Sequence, residues 1–336
     1  MLSRSTRTRL LSAAVLAFVA SLLAPTAPAQ AALPPYVALG DSYSSGTGTR
    51  SYINDGTSCQ RSTSAYPSLL AAQKGYALNF RACSGATIPD VTNTQLSALS
   101  SATRYVTISV GGNDAGFGDV LTECATPWWA GDCNGAIDGA QSFINNTLPG
   151  RLSTLYSSIR SRASVAKVVV VGYPRIFMGV DCNAGTWFSP AEMTRLNQTA
   201  DLLNSKLSSA ASARGFSFAN PTSRFIGHAV CNDVEWINGL SSPVSESYHP
   251  NKAGHSSGYA PVVSPLLTGA PARITPATYA AAAASADELA AQQRQYAAAD
   301  RSIRPAGFRA PDLTSAATRL AARKAGIDLD RWLATH

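Results

Sequence analysis

The run Lys167-Val-Val-Val-Val171 constrains this chain more than any other stretch. Its four valines do not alternate with polar residues, so both faces of the strand they form must be covered. Parallel sheets sandwiched between helices meet that condition. Other strand-like runs recur at 36–39, 76–80, 105–110 and, more weakly, 216–219. Segments long enough for helices lie between or beside them at 66–74, 141–161 and 189–213. The last opens on Ser189-Pro190-Ala191-Glu192, a capping box with proline at the first helical position. Strands alternating with helices predict an α/β fold, a three-layer α/β/α sandwich around a central, mostly parallel five-stranded sheet. Such a sheet gathers its loops at the carboxyl ends of its strands, where reactive groups are expected.

The ends of the chain read differently. Arg4, Arg7 and Arg9 precede an apolar run at 10–24, and Ala29-Gln30-Ala31 follows as a small-x-small cleavage pattern. Residues 1–31 are therefore expected to be a signal peptide, and the mature protein to be secreted. Without those three arginines the formal charge of +7 falls to +4, since the leader holds no acid. Much of that remainder lies after residue 270, so the main domain is near neutral and no nucleic-acid footprint is expected. Residues 33–269 form the expected catalytic domain. From 270 to 336 an alanine-rich composition predicts a helical extension, with one helix over 277–299 and another over 312–325. Its expected place is packed on the domain, or against a membrane or wall.

All six cysteines follow the leader: Cys59, Cys83, Cys124, Cys133, Cys182 and Cys231. An even count in an exported chain implies three disulfides. Counting permits about 15 pairings. Nearest-neighbour order is the simplest, with each bridge closing one loop.

Four short motifs fall where strands should end. They are Gly40-Asp41-Ser42-Tyr43, Ala82-Cys83-Ser84-Gly85-Ala86, Gly111-Gly112-Asn113-Asp114 and Glu246-Ser247-Tyr248-His249-Pro250. Taken alone, the first is either a nucleophile on a strand-to-helix turn or an ordinary capped turn with a surface serine. The four in this order resemble the SGNH (GDSL) hydrolase superfamily, with Ser42, Gly85, Asn113 and His249 in its four defining blocks. The leader and three-disulfide spacing make the chain most similar to exported actinobacterial lipases and phospholipase A1 esterases within it. The likeness covers roughly 35–267 and implies a flavodoxin-like sheet.

What the resemblance implies also satisfies the chemistry. A serine hydroxyl needs a base, and His249 supplies one. A tetrahedral oxyanion needs fixed donors, and the Ser42 and Gly85 N–H groups with the Asn113 amide form that hole. The third triad member departs from the family, which commonly has Asp three residues before the histidine; here Glu246 stands there. The alternative orienter is the main-chain carbonyl of Ser247, and a Ser–His dyad is the reading preferred here. The expected activity is hydrolysis of acyl esters of lipids by a monomer in contact with a lipid surface. A carbohydrate acetyl esterase and a secreted non-catalytic binding protein are the alternatives.

Rival motifs are weaker. Gly254-His255-Ser256-Ser257-Gly258 fits G-x-S-x-G, but no strand precedes it and only His336 follows as a downstream histidine. His228 has no partner motif. No metal-binding or dinucleotide pattern occurs, so no cofactor is expected. Trp128, Trp129, Trp187 and Phe188 are either acyl-pocket linings or buried under their loops.

Overall fold

Tyr36, Val37, Ala38 and Leu39 are buried on both faces of β1 (Pro35–Gly40), the strand around which the sheet is assembled. The structure is a computed structural model describing residues 32–304 and 307–335; the expected signal peptide at 1–31 lies outside these. The remaining strands are β2 (Ala77–Phe80), β3 (Tyr105–Ser109), β4 (Lys167–Val171) and β5 (Ser217–Ala219). They run in the order β2-β1-β3-β4-β5, every pair parallel. The valine run is β4, with Val168 to Val171 all buried. The chain reverses direction across the sheet between β1 and β3, which opens a crevice at their carboxyl ends.

One-turn α1 (Ser42–Ser45) and α2 (Tyr66–Lys74) come first in the chain, and one helical layer comprises α3 (Phe117–Cys124), α4 (Cys133–Asn146), α5 (Leu148–Arg162) and α6 (Pro190–Ser212). The other layer contains α2, α7 (Ala260–Thr268) and α8 (Pro276–Ala284). Helix α6 begins at its capping box, where the Ser189 side chain accepts from Glu192 N–H. The helix expected over 141–161 is two helices. Pro149, at the start of α5, has no N–H to continue the ladder, and the chain breaks at Thr147. Helix α4 also starts earlier, at Cys133, because Asp132 accepts from Gly135 N–H and caps it. The G-x-S-x-G stretch is a π-helical turn leading into α7, with no strand before it.

The alanine-rich run is likewise divided, into α8, α9 (Ala286–Arg294) and α10 (Ala297–Asp300). At Ser285 the hydroxyl bonds back to the Ala282 carbonyl at 2.8 Å, competing with the helix. Further on lie α11 (Ala316–Lys324) and α12 (Leu329–Thr335). These segments pack on the sheet domain: α8 against α2, and α9 against β2. Among the described residues from Pro34 onward, the chain clusters as one compact unit. Asp300 is fully buried, its carboxylate 2.5 Å from Arg61 Nη2 and 2.7 Å from Arg81 Nη2. The disulfides are Cys59–Cys83, Cys124–Cys133 and Cys182–Cys231, in nearest-neighbour order. No helix among the described residues is long and apolar enough to cross a membrane.

Candidate active site

Gly40 ends β1 at φ +121, where a side chain is strained, and a Cβ there would lie 2.2 Å from the Ser109 carbonyl oxygen. Only glycine allows β1 and β3 to meet so closely at the site. Buried Gln95 braces the same residue, accepting from Gly40 N–H at 2.7 Å and donating to its carbonyl at 2.9 Å. Asp41 then caps α1 by accepting from Tyr43 N–H at 3.0 Å. Its carboxylate also accepts from Ser109 Oγ at 2.7 Å and Tyr173 Oη at 2.5 Å. Burial raises the Asp41 carboxyl to about 6, against the lowering effect of these donors. Asp41 thus holds the turn, and Ser42 begins the helix beside it.

The Ser42 hydroxyl lies 2.9 Å from His249 Nε2, across 207 residues of chain. On the other ring edge, His249 Nδ1 lies 2.9 Å from the Ser247 carbonyl oxygen. A carbonyl only accepts, so Nδ1 carries the proton and Nε2 is left with its lone pair toward Ser42. Tyr248, between them, takes φ +61, a left-handed conformation uncommon for a bulky residue. It is held there by its N–H to the Asn238 carbonyl at 2.9 Å and its own carbonyl, which accepts from Tyr43 Oη at 2.8 Å. Burial lowers the His249 imidazole to about 4, although the Ser247 bond and the Glu246 charge oppose this.

Glu246 is engaged elsewhere. Its carboxylate accepts from Arg50 Nε at 2.7 Å and from Tyr52 Oη at 2.7 Å. The carboxylate is 2% exposed, so this pairing anchors the histidine loop to the segment after α1. Of the two orienters expected for His249, the Ser247 carbonyl is the one in hydrogen-bond contact with its ring.

The two remaining motifs converge on the same serine. Gly85 (φ +83) sits in the loop tied by Cys59–Cys83. Among the described residues, neither Ser42 N–H nor Gly85 N–H has a protein acceptor. Asn113 Nδ2 donates to the Ala86 carbonyl at 3.0 Å, leaving its second N–H for another acceptor. Asp114 fastens this loop by accepting from Ile88 N–H at 2.9 Å. Three donors and one hydroxyl therefore line one pocket with His249.

That pocket encloses about 950 Å³ including its open mouth, and its walls are mainly apolar. Phe117 and Leu121 come from α3, Ala140 and Ile144 from α4, and Ala200 and Leu203 from α6. Sequence reasoning missed these residues, although their spacing of three or four is the helical signal for a shared face. It also missed Phe308, from the segment after α10. The aromatic residues considered instead do not line it. Trp129 is buried beneath its loop, and Trp128 is 76% exposed. Trp129 and Trp187 both flank Trp332, at ring distances of 5.5 and 5.3 Å. Phe188 packs against Phe177 and Tyr248. Buried His255 accepts at Nδ1 from Tyr66 N–H, at 3.2 Å, and His228 stacks on Trp236 at 3.7 Å.

The profile of the GDSL-like Lipase/Acylhydrolase family matches residues 38–256. Lipase 1 of Streptomyces coelicolor is 44% identical over 260 residues, covering 75% of this chain and 95% of that protein. The crystal structure of an extracellular lipase from Streptomyces rimosus superposes with a TM-score of 0.64 at 43% identity, covering 68% of this chain and 97% of that one. The crystal structure of phospholipase A1 from Streptomyces albidoflavus gives 0.65 at 43% identity, covering 69% and 98%. The chain belongs to the GDSL-like lipase/acylhydrolase family and is a carboxylic ester hydrolase.

Proposed function

We propose that this protein is a secreted serine esterase that hydrolyses acyl esters of lipids, as a lipase or phospholipase A1. Residues 33–269 carry the chemistry and 270–336 brace it. His249 Nε2 removes the Ser42 proton as Oγ forms a bond to the ester carbonyl carbon. The carbonyl π electrons move onto oxygen, and the oxyanion accepts from the Ser42 and Gly85 N–H groups and Asn113 Nδ2. The imidazolium keeps its Nδ1 proton on the Ser247 carbonyl. Collapse breaks the bond to the alcohol, which takes the Nε2 proton and leaves an acyl-enzyme. Water then loses a proton to Nε2 and attacks the acyl carbon, and Ser42 departs with that proton as the fatty acid is freed.

The observation that carries this reading is the 2.9 Å contact from Ser42 Oγ to a ring nitrogen with its lone pair free. The apolar walls favour an acyl chain, since a polar sugar would leave its hydroxyls facing Leu121, Ile144 and Leu203. The leader at 1–31 and the extracellular lipase of S. rimosus support secretion.

A phosphonate ester aimed at serine tests the chemistry: one equivalent should bind Ser42 and abolish turnover, with Ser42→Ala left unlabelled. Folded protein that fails to label would overturn the assignment. Phosphatidylcholine, triacylglycerol and acetylated xylan then rank the substrates, and preference for acetylated xylan would make the protein a carbohydrate esterase instead.

A further inference from the structure

We propose that Phe308 is the end wall of the acyl groove and limits the chain length the site accepts, an inference that rests on the esterase reading above. Phe308 lines the same pocket as Ser42 and His249 and is 6% exposed. Its ring meets the Tyr248 ring edge-on, with centroids 4.9 Å apart. The next residue, Arg309, donates its N–H to Thr122 Oγ1 on α3 at 2.9 Å, and its guanidinium reaches Asp119 at 3.0 Å. Helix α3 also contributes Phe117 and Leu121 to the groove. Phe308 therefore bridges the wall that carries the histidine and the wall formed by α3.

The chain is fixed beside the ring. After it, Arg309 is tied to α3. A ring held this way is a stop rather than a flap, and an acyl chain long enough to reach it must end there. The family match ends at residue 256, so this wall is supplied from outside the shared scaffold. An apolar wall that is wrong by one methylene discriminates by about 10–200-fold, enough to set a length preference.

The test compares kcat/KM for p-nitrophenyl decanoate and p-nitrophenyl butyrate. In Phe308→Ala the decanoate-to-butyrate ratio should rise at least about tenfold, with a smaller rise in Phe308→Leu and a fall in Phe308→Trp. If the alanine variant does not fold, the leucine and tryptophan variants carry the same ordering. A ratio that stays within about threefold across the variants, or falls in the smaller ones, overturns the proposal. Wild-type protein that hydrolyses neither ester would sink the esterase reading, and this inference with it. Wild-type hydrolysis with an unmoved ratio would sink the Phe308 assignment alone.

Discussion

Replacing Asp300 by alanine tests whether the last 67 residues hold the catalytic domain together or merely cover it. Asp300, Arg61 and Arg81 are all fully buried. Arg61 keeps a second carboxylate, Asp55, at 2.5 Å. Among the described residues Arg81 then keeps only neutral partners: Gln293 Oε1 at 2.8 Å, the Thr94 carbonyl at 3.0 Å and the Tyr296 ring at 3.9 Å. Asp300→Ala thus strands a buried guanidinium, and breaking a buried pair from one side costs about 3–5 kcal/mol. For a unit of this size that lowers Tm by on the order of 5–10 °C. Removing the charges together, as in Arg81→Met with Asp300→Leu, should recover much of the loss, because apolar residues of similar volume can replace a buried pair at little cost. By contrast, Arg175→Ala breaks only the half-exposed pair with Asp201 and should cost below about 1 kcal/mol. Denaturant unfolding followed by near-ultraviolet circular dichroism, with the disulfides intact, measures all three. A loss under about 1 kcal/mol in Asp300→Ala, or a double variant no better than the single, would refute the argument.

Three further outcomes are expected at the site. Glu246→Gln should slow turnover by less than about tenfold, because its carboxylate bonds Arg50 and Tyr52, whereas a loss approaching ~10⁴ would make it the orienter of His249. Asn113→Ala should lower kcat by about 10²–10³ with KM little changed, and an unaltered kcat would remove its amide from the oxyanion hole. Only neutral His249 accepts the Ser42 proton, and burial lowers that imidazole from 6.5 to about 4. The acid limb of kcat/KM should therefore fall as pH drops through about 4, and a midpoint at or above 6.5 in a pH profile would contradict the buried environment.

Much of this protein is written in short-range patterns. The valine run specifies β4 because an unalternated β-branched stretch must be covered on both faces. Ser189 to Glu192 specifies the start of α6 because its hydrogen bonds close within four residues. Ser42, Gly85 and Asn113 were legible as motifs at expected strand ends, and the sheet order brings them to one pocket, whereas His249, expected at a strand end too, reaches that pocket on a loop well past β5. Even the break at Thr147 had a local sign in Pro149, outweighed by the apparent length of the helical run.

What no local rule specifies is the choice among competing long-range partners. Glu246 sits where the family's acid should be, yet Arg50 and Tyr52, nearly 200 residues away, take its carboxylate and leave the Ser247 carbonyl to the ring. Asp300 reads as a polar residue just past an alanine-rich helix, and becomes a buried counter-ion only because Arg61 and Arg81 have been drawn inside. Phe308 follows a stretch with no helical or strand pattern, and acquires its place only when Arg309 bonds to α3. Periodicity and capping act over a few residues and can be read from order alone. Pairing buried charges and filling a groove depend on close packing between distant segments, which exists only once the chain has folded.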